Sequence, residues 1–237
     1  MQSRPRTLII AEIGQNHGGN MEVARRLIEQ AKAGGADIAK FQLYDVDSIF
    51  KPDFEWYAET KRAQLSRNQA AAMAGYCEEV GIEFMASAFD VERLNWCETL
   101  QVKRHKIASR SVHDRALLSA AAATGKDLIV SLGMWNGDAW PVVKTKARVD
   151  FLYCVARYPA LPSEVKLDSV DFTKFAGFSD HTMGIDAALV AIARGARIIE
   201  KHFTLDKNAH GPDHRCSMEP CELVELVKRA RNFEAVL

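Results

Sequence analysis

The sequence predicts an α/β fold, a single (β/α)8 TIM barrel taking in residues 1–237. Three observations predict it. Eight short apolar runs recur along the chain, and helical periodicity follows most of them. After two longer early gaps, the run ends near residues 87, 108, 131, 154, 180 and 202 are a little over twenty residues apart, about the size of a strand–helix unit. Eight such units suit a chain of roughly 250 residues.

Taken in order, residues 7–11 are apolar and end at Glu12, and a Gly-Gly turn leads to a helical pattern over 21–33. Residues 38–41 carry Lys40 and close on Gln42. An irregular, aromatic-bearing stretch over 44–65 precedes a helix over 67–80. Residues 83–86 end at Ser87, and 91–100 read as helix. Residues 104–108 carry Lys106 and end at Ser109, after which Asp114 caps a helix reaching Thr124. Runs over 128–130, 150–153, 175–178 and 197–199 end at Ser131, Cys154, Ser179 and Glu200, and a helix over 220–233 completes the ring. The segment 135–148 is too short and too rich in Trp and Pro for a good fifth helix. An open doubly wound sheet is the runner-up, but no glycine-rich phosphate loop follows the first strand.

With 31 basic and 31 acidic residues and no basic tract, the chain does not suit nucleic acid or an anionic membrane as partner. Five cysteines without a CxxC pair argue against disulfides and structural zinc and fit a reducing compartment. No apolar run has the length of a membrane span. Met1-Gln2-Ser3-Arg4-Pro5-Arg6 leads into the first strand without a signal-like apolar core, so a cytoplasmic location is expected.

In a barrel of this kind the site lies at the carboxyl ends of the strands. Those ends read Glu12, Lys40 with Gln42, Ser87, Lys106 with Ser109, Ser131, Cys154, Ser179 with His181, and Glu200 with His202. Two lysines and four serines aimed into one mouth make an anion pocket, most naturally for phosphate. Two imidazoles with carboxylates in reach suit a divalent metal that polarises a carbonyl. Each residue alone has a bland explanation, as a strand-edge lysine, a serine cap or a core histidine. Their co-location at one end of eight strands is what argues for a site. The cysteines read as small buried hydrophobes, and His105 and His113 as surface or structural residues.

The chain resembles the sialic acid synthase family of phosphoenolpyruvate-dependent nonulosonic acid synthases. The resemblance is carried, in family order, by residues 11–19 (AEIGQNHGG), 35–42 (GADIAKFQ), 105–109 (HKIAS) and 130–134 (VSLGM). It continues through Tyr158-Pro159, residues 178–184 (FSDHTMG) and 200–204 (EKHFT), and ends with 211–214 (GPDH). It implies a (β/α)8 barrel that holds phosphoenolpyruvate (PEP) on Lys40, Ser87, Lys106, Ser109, Ser131 and Ser179. It implies a divalent metal, Mn2+ or Mg2+, on His181 and His202. Gln42 and Asp213 match positions toward the amino sugar, and Glu12 and Glu200, close to the metal, are the catalytic candidates for orienting or deprotonating a water. The implied reaction joins C3 of PEP to the aldehyde carbon of an open-chain N-acylated amino sugar, as in the making of a surface polysaccharide.

Three departures accompany the resemblance. The family commonly carries a C-terminal antifreeze-like domain, and this sequence stops after the eighth helix, so the barrel alone is expected; a homo-oligomer or a separate lid domain would then complete the sugar site. Ala156 stands where some members have an asparagine. Arg110 replaces a usual small residue after Ser109, and either adds a phosphate contact or obstructs the site. Two alternatives stay open: a non-catalytic or partner-dependent barrel that binds metal and phosphate, and a synthase joining PEP to an aldose phosphate, with Arg110 and Arg157 as the basic residues for the second phosphate.

Overall fold

A computed structural model of the chain describes residues 6–236, so the polar lead-in over residues 1–5 and Leu237 lie outside the described residues. Eight parallel strands close into a barrel in sequence order. They are β1 (Leu8–Gly14), β2 (Ile38–Leu43), β3 (Glu83–Ala88), β4 (Arg104–Ile107), β5 (Asp127–Ser131), β6 (Val149–Cys154), β7 (Gly177–Asp180) and β8 (Ile198–His202). Around them run α1 (Met21–Ala33), α2 (Val46–Ile49), α3 (Tyr57–Ala63), α4 (Arg67–Val80), α5 (Val91–Thr99), α6 (Arg115–Ala123), α7 (Pro162–Val165), α8 (Asp186–Ala193) and α9 (Pro220–Val236).

The helix starts are set locally. The Asn20 side chain accepts from the Glu22 and Val23 amides at the start of α1, and Ser66 with Gln69 forms a reciprocal capping box on α4. Asp90 and Asp114 cap α5 and α6, the latter as the sequence predicts. Among the described residues no helix is long and apolar enough to cross a membrane.

Two cores flank the sheet. The larger lies between strands and helices and takes in Leu27, Phe41, Met73, Leu117, Phe178 and Leu226. The smaller plugs the barrel itself with Ile10, Ile38, Met85, Ile129, Leu152 and Ile198. Side chains two apart on a strand share a face. Two residues above that plug, the same inward face therefore presents Glu12, Lys40, Ser87, Ser131, Cys154 and Glu200. Apolar below and polar above, the barrel interior carries its chemistry at the carboxyl end.

Three places differ from, or refine, the sequence expectation. β1 runs past Glu12 through a bulge to Gly14, whose φ of +55° needs glycine. A Cβ on Gly14 would stand 3.3 Å from both Gln42 Nε2 and Glu12 Oε1, so the bulge brings bare backbone against the site. The irregular stretch 44–65 holds two short helices, α2 and α3, with Phe50 stacked on Phe54 at 4.1 Å. Between β5 and β6 there is no helix, as the Trp- and Pro-marked sequence implies. Trp140 closes that flank instead, against Phe151 at 4.8 Å and Phe175 at 4.7 Å.

Candidate active site

Register assembles the polar floor. Glu12 pairs with Lys40 on one side and His202 on the other, Ser87 with Lys106, and Ser179 with Glu200. Lys40 Nζ lies 2.6 Å from Glu12 Oε2 and 3.5 Å from Glu200 Oε2, and it donates to Ser87 Oγ at 3.0 Å. Lys106 Nζ lies 3.5 Å from Glu200 Oε1 and donates to Ser131 Oγ at 2.8 Å. Ser179 Oγ donates to Glu200 Oε1 at 3.0 Å, and Gln42 Nε2 to Glu12 Oε1 at 2.9 Å. Two lysines and two glutamates, all buried, thus balance one another in the floor.

Their environments differ. Burial dominates at Glu12 and, against the pull of Lys40, lifts its carboxyl to about 7. At Glu200 burial also acts upward, but Lys106, Lys40 and the Ser179 hydroxyl outweigh it and hold the carboxyl down at about 2. One carboxylate is poised near neutrality and the other stays charged, a split that suits one for proton transfer and the other for holding charge. Burial lowers the Lys106 ammonium, while Glu12 and Glu200 outweigh burial at Lys40 and raise it.

Above the floor sit two imidazoles, their ring centroids 5.6 Å apart. His181 Nδ1 is 2.8 Å from the Val155 carbonyl, which can only accept, so Nδ1 carries a proton. Against burial, Cys154 and that carbonyl raise the imidazolium, so Nε2 can ligate when the ring is neutral. His202 Nδ1 is buried with no hydrogen-bond partner and lies 3.8 Å from Asp213 Oδ2. Burial, against Asp213, lowers the His202 imidazolium to about 4, so the ring is neutral and able to ligate. An orphaned buried nitrogen, a second imidazole and a nearby carboxylate fit a divalent cation. Among the described residues no group of three or more His, Cys, Asp or Glu side chains is placed to hold a metal ion, so the two imidazoles would be the protein's main ligands and Asp213 a neighbouring charge.

The histidines are braced from behind. Asp180 and Lys201, each next in chain to one of them, pair at 2.9 Å with both side chains fully buried. Asp180 Oδ1 accepts from the Thr182 amide and hydroxyl, and Lys201 Nζ donates to the Thr182 carbonyl at 2.6 Å. Asp213 is fixed by Gln15 Nε2 at 3.1 Å on its carboxylate and by Ser217 Oγ at 2.7 Å on its carbonyl.

A cavity of about 650 Å³ opens over this group, within the ordinary range for small-molecule sites. Gln42, Ser109, His202 and Asp213 line it together with the aromatic residues Tyr44, Phe50, Phe54, Trp56 and Phe89. Lys40, Ser87, Lys106, Ser131, Ser179, Glu12 and Glu200 form the buried network of the barrel interior and do not themselves line the cavity. Ser109 stands a little apart, accepting from the Gly133 amide at 3.1 Å with its Oγ 3.4 Å from Cys154 Sγ.

Sequence reasoning gave no role to several residues at the site. The Tyr158 ring lies 4.1 Å from that of His181 and 5.8 Å from that of His202, although its motif was legible. Cys154 is more than a packed hydrophobe: its sulfur is 3.8 Å from His181 Nδ1. Of the two roles expected for His105, surface or structural, the structural one holds: it is buried and its Nε2 meets Glu98 Oε1 at 2.9 Å. Cys221 is exposed.

A family model described as the NeuB family matches residues 27–237. The human N-acetylneuraminate-9-phosphate synthase is 36% identical, over 97% of this chain and 70% of its own length. The N,N'-diacetyllegionaminic acid synthase of Legionella pneumophila is 33% identical, over 97% of this chain and 72% of its own length. Among solved structures, the N-acetylneuraminic acid synthetase of Leptospira borgpetersenii, in complex with citrate, superposes with a TM-score of 0.92. It is 33% identical, with 98% of this chain and 85% of that one covered. A truncated 3-deoxy-D-arabino-heptulosonate 7-phosphate synthase from Thermotoga maritima, at 15% identity and TM-score 0.70, shares the fold.

Proposed function

The chain belongs to the NeuB family, and from that premise we propose that it condenses PEP with an open-chain N-acylated amino sugar. The products are a sialic-acid-like nonulosonic acid and phosphate. The observation that carries this reading is the pair of buried lysines, from β2 and β4, converging with strand-end hydroxyls directly beneath two imidazoles. An anionic substrate lodged under an electrophile would use that arrangement.

In this reading Lys40 and Lys106 exchange their glutamate partners for the phosphate and carboxylate of PEP, and Ser87, Ser109, Ser131 and Ser179 direct hydrogen bonds to its oxygens. The amino sugar lies above, between Gln42, Asp213 and the aromatic residues, with its aldehyde toward His181 and His202. Those two histidines, with Asp213 beside them, would hold Mn2+ or Mg2+, which supplies a Lewis acid for the aldehyde oxygen.

The chain's own residues do the rest. The floor fixes C3 of PEP under the aldehyde carbon, replacing a chance encounter by a held geometry. When C3 forms its bond, C2 becomes cationic, and the Glu200 carboxylate, ionised throughout, stabilises that charge. Water adds to C2 and gives up a proton, which Glu12 accepts and passes on to the former aldehyde oxygen, left as an alkoxide when C3 formed its bond. The resulting hemiketal phosphate expels inorganic phosphate toward Lys106 and its hydroxyl neighbours.

The test is a phosphate-release assay with PEP, Mn2+ and a panel of N-acylated amino sugars, the product identified by mass. Release coupled to a product with the mass of PEP plus sugar plus one water minus phosphoric acid is expected. Measurable PEP binding with no release from any sugar would overturn the reading.

A further inference from the structure

We propose that Arg110 reads an anionic group, a phosphate, on the end of the amino sugar remote from its aldehyde. The inference rests on the synthase reading above and names the acceptor class for that same cavity. Arg110 follows Ser109 at the carboxyl end of β4, in the 3-10 turn Ser109–Ser111, and lines the cavity. Its guanidinium carbon stands 4.6 Å from the Phe50 ring centroid and 5.9 Å from that of Phe89. Its Nη2 reaches the Ile49 carbonyl at 3.4 Å, a weak contact. Stacking on rings fixes the plane of a guanidinium without neutralising it and, apart from the weak Nη2 contact, leaves its N–H donors open.

The other charges around the cavity are already matched. Arg157, which also lines it, pairs with Glu164, and the two floor lysines pair with Glu12 and Glu200. No carboxylate among the described residues pairs with Arg110. An aromatic-held cation with open donors recognises phosphate through a planar two-point fork. Against a neutral hydroxyl the same group is desolvated without a charged partner, which penalises the wrong acceptor.

Position agrees with charge. The barrel order puts β4 opposite β8, and Arg110 and His202, from these two sides, both line the cavity. A six-carbon chain with its aldehyde at the histidines extends past the aromatic residues toward Arg110. PEP does not require this arginine, since its two anionic groups have two lysines and four serines in and beside the floor.

Binding and turnover are read separately. Reducing the aldehyde of an N-acetylhexosamine to the alcohol gives a ligand that cannot condense. In the presence of PEP, calorimetry should find the alditol 6-phosphate bound at least tenfold more tightly than the plain alditol. Arg110→Gln should bring the two within threefold while the dissociation constant for PEP moves less than twofold, and Arg110→Lys should keep part of the preference. Equal binding of the two alditols by the native protein overturns the proposal. So does an Arg110→Gln variant that loses PEP affinity or melting temperature with its selectivity intact. Turnover of neutral sugars in preference to their 6-phosphates sinks the inference and leaves the synthase reading. Phosphate-dependent alditol binding without turnover of any sugar does the reverse.

Discussion

Asp180 Oδ2 and Lys201 Nζ lie 2.9 Å apart with neither side chain exposed, and each residue immediately precedes a histidine of the candidate metal pair. A lone charge left in that position would have no water to turn to, which costs about 3–5 kcal/mol. Asp180→Leu or Lys201→Met alone is therefore expected to lower unfolding free energy by that order. The double replacement, which removes both charges, should cost well under the sum. Urea melts of the three variants check it. Additive losses would mean that the two groups are held by Thr182 separately and not by each other.

Glu12 and Glu200 are near neighbours in space with opposite electrostatics. Glu12→Gln should cut turnover by roughly 10²–10⁴-fold, the usual range for a proton-transfer group, with PEP affinity largely kept. Turnover needs Glu12 ionised to accept the proton from water. With its carboxyl up at about 7, kcat should rise with pH toward 7 and level off above it. Glu200, down at about 2, contributes no inflection in that window. Glu200→Gln should lower turnover without moving the inflection. A pH profile unchanged in Glu12→Gln would reassign the inflection, and unchanged turnover in both variants would remove these residues from the mechanism.

His17, buried in the turn between β1 and α1, bears on acid stability. Burial lowers its imidazolium from the ordinary 6.5 to about 4, against a weaker upward pull from the Gly14 backbone. Its Nδ1 accepts from the Gly19 amide at 3.1 Å, which fixes the neutral form. A histidine depressed in the folded state binds its proton more readily once unfolded. Its stabilising contribution is complete above pH 6.5 and is lost as pH falls to about 4. The full window is worth about 3 kcal/mol. His17→Gln should flatten part of the decline in unfolding free energy between pH 7 and 4; an identical slope would locate the acid sensitivity elsewhere.

Much of this site was legible because a parallel barrel writes its chemistry at fixed places. Lys40, Lys106, Glu12 and Glu200 each interrupt an apolar run near its end, and strand alternation turns them all inward. The sequence also marked the missing helix between β5 and β6, since Trp140 and Pro141 spoil its periodicity. Pairings across strands were not legible. That Lys40 meets Glu12 at 2.6 Å follows from register, which no local pattern specifies. The bulge at Gly14 adds a residue that two-residue alternation cannot anticipate. Tyr158 and Cys154 acquire their places only by touching His181, from another strand. Arg110 stood out as a departure in sequence, but its stacking on Phe50 depended on how the 44–65 stretch folds.

The metal reading turns on His202, whose Nδ1 is a buried nitrogen with no hydrogen-bond partner among the described residues. If His202 and His181 share one cation, Mn2+ added to metal-stripped protein should bind with a stoichiometry of one, followed by electron paramagnetic resonance of the free ion. His202→Ala and His181→Ala should each weaken that binding at least tenfold, whether or not any sugar turns over. Asp213→Asn, which keeps shape and removes charge beside His202, should weaken it less. PEP affinity in metal-free protein should survive all three, because Lys40 and Lys106 are tied to the floor network and not to the imidazoles. Mn2+ binding that persists in both histidine variants would move the metal elsewhere and leave His202 an uncharged wall of the cavity.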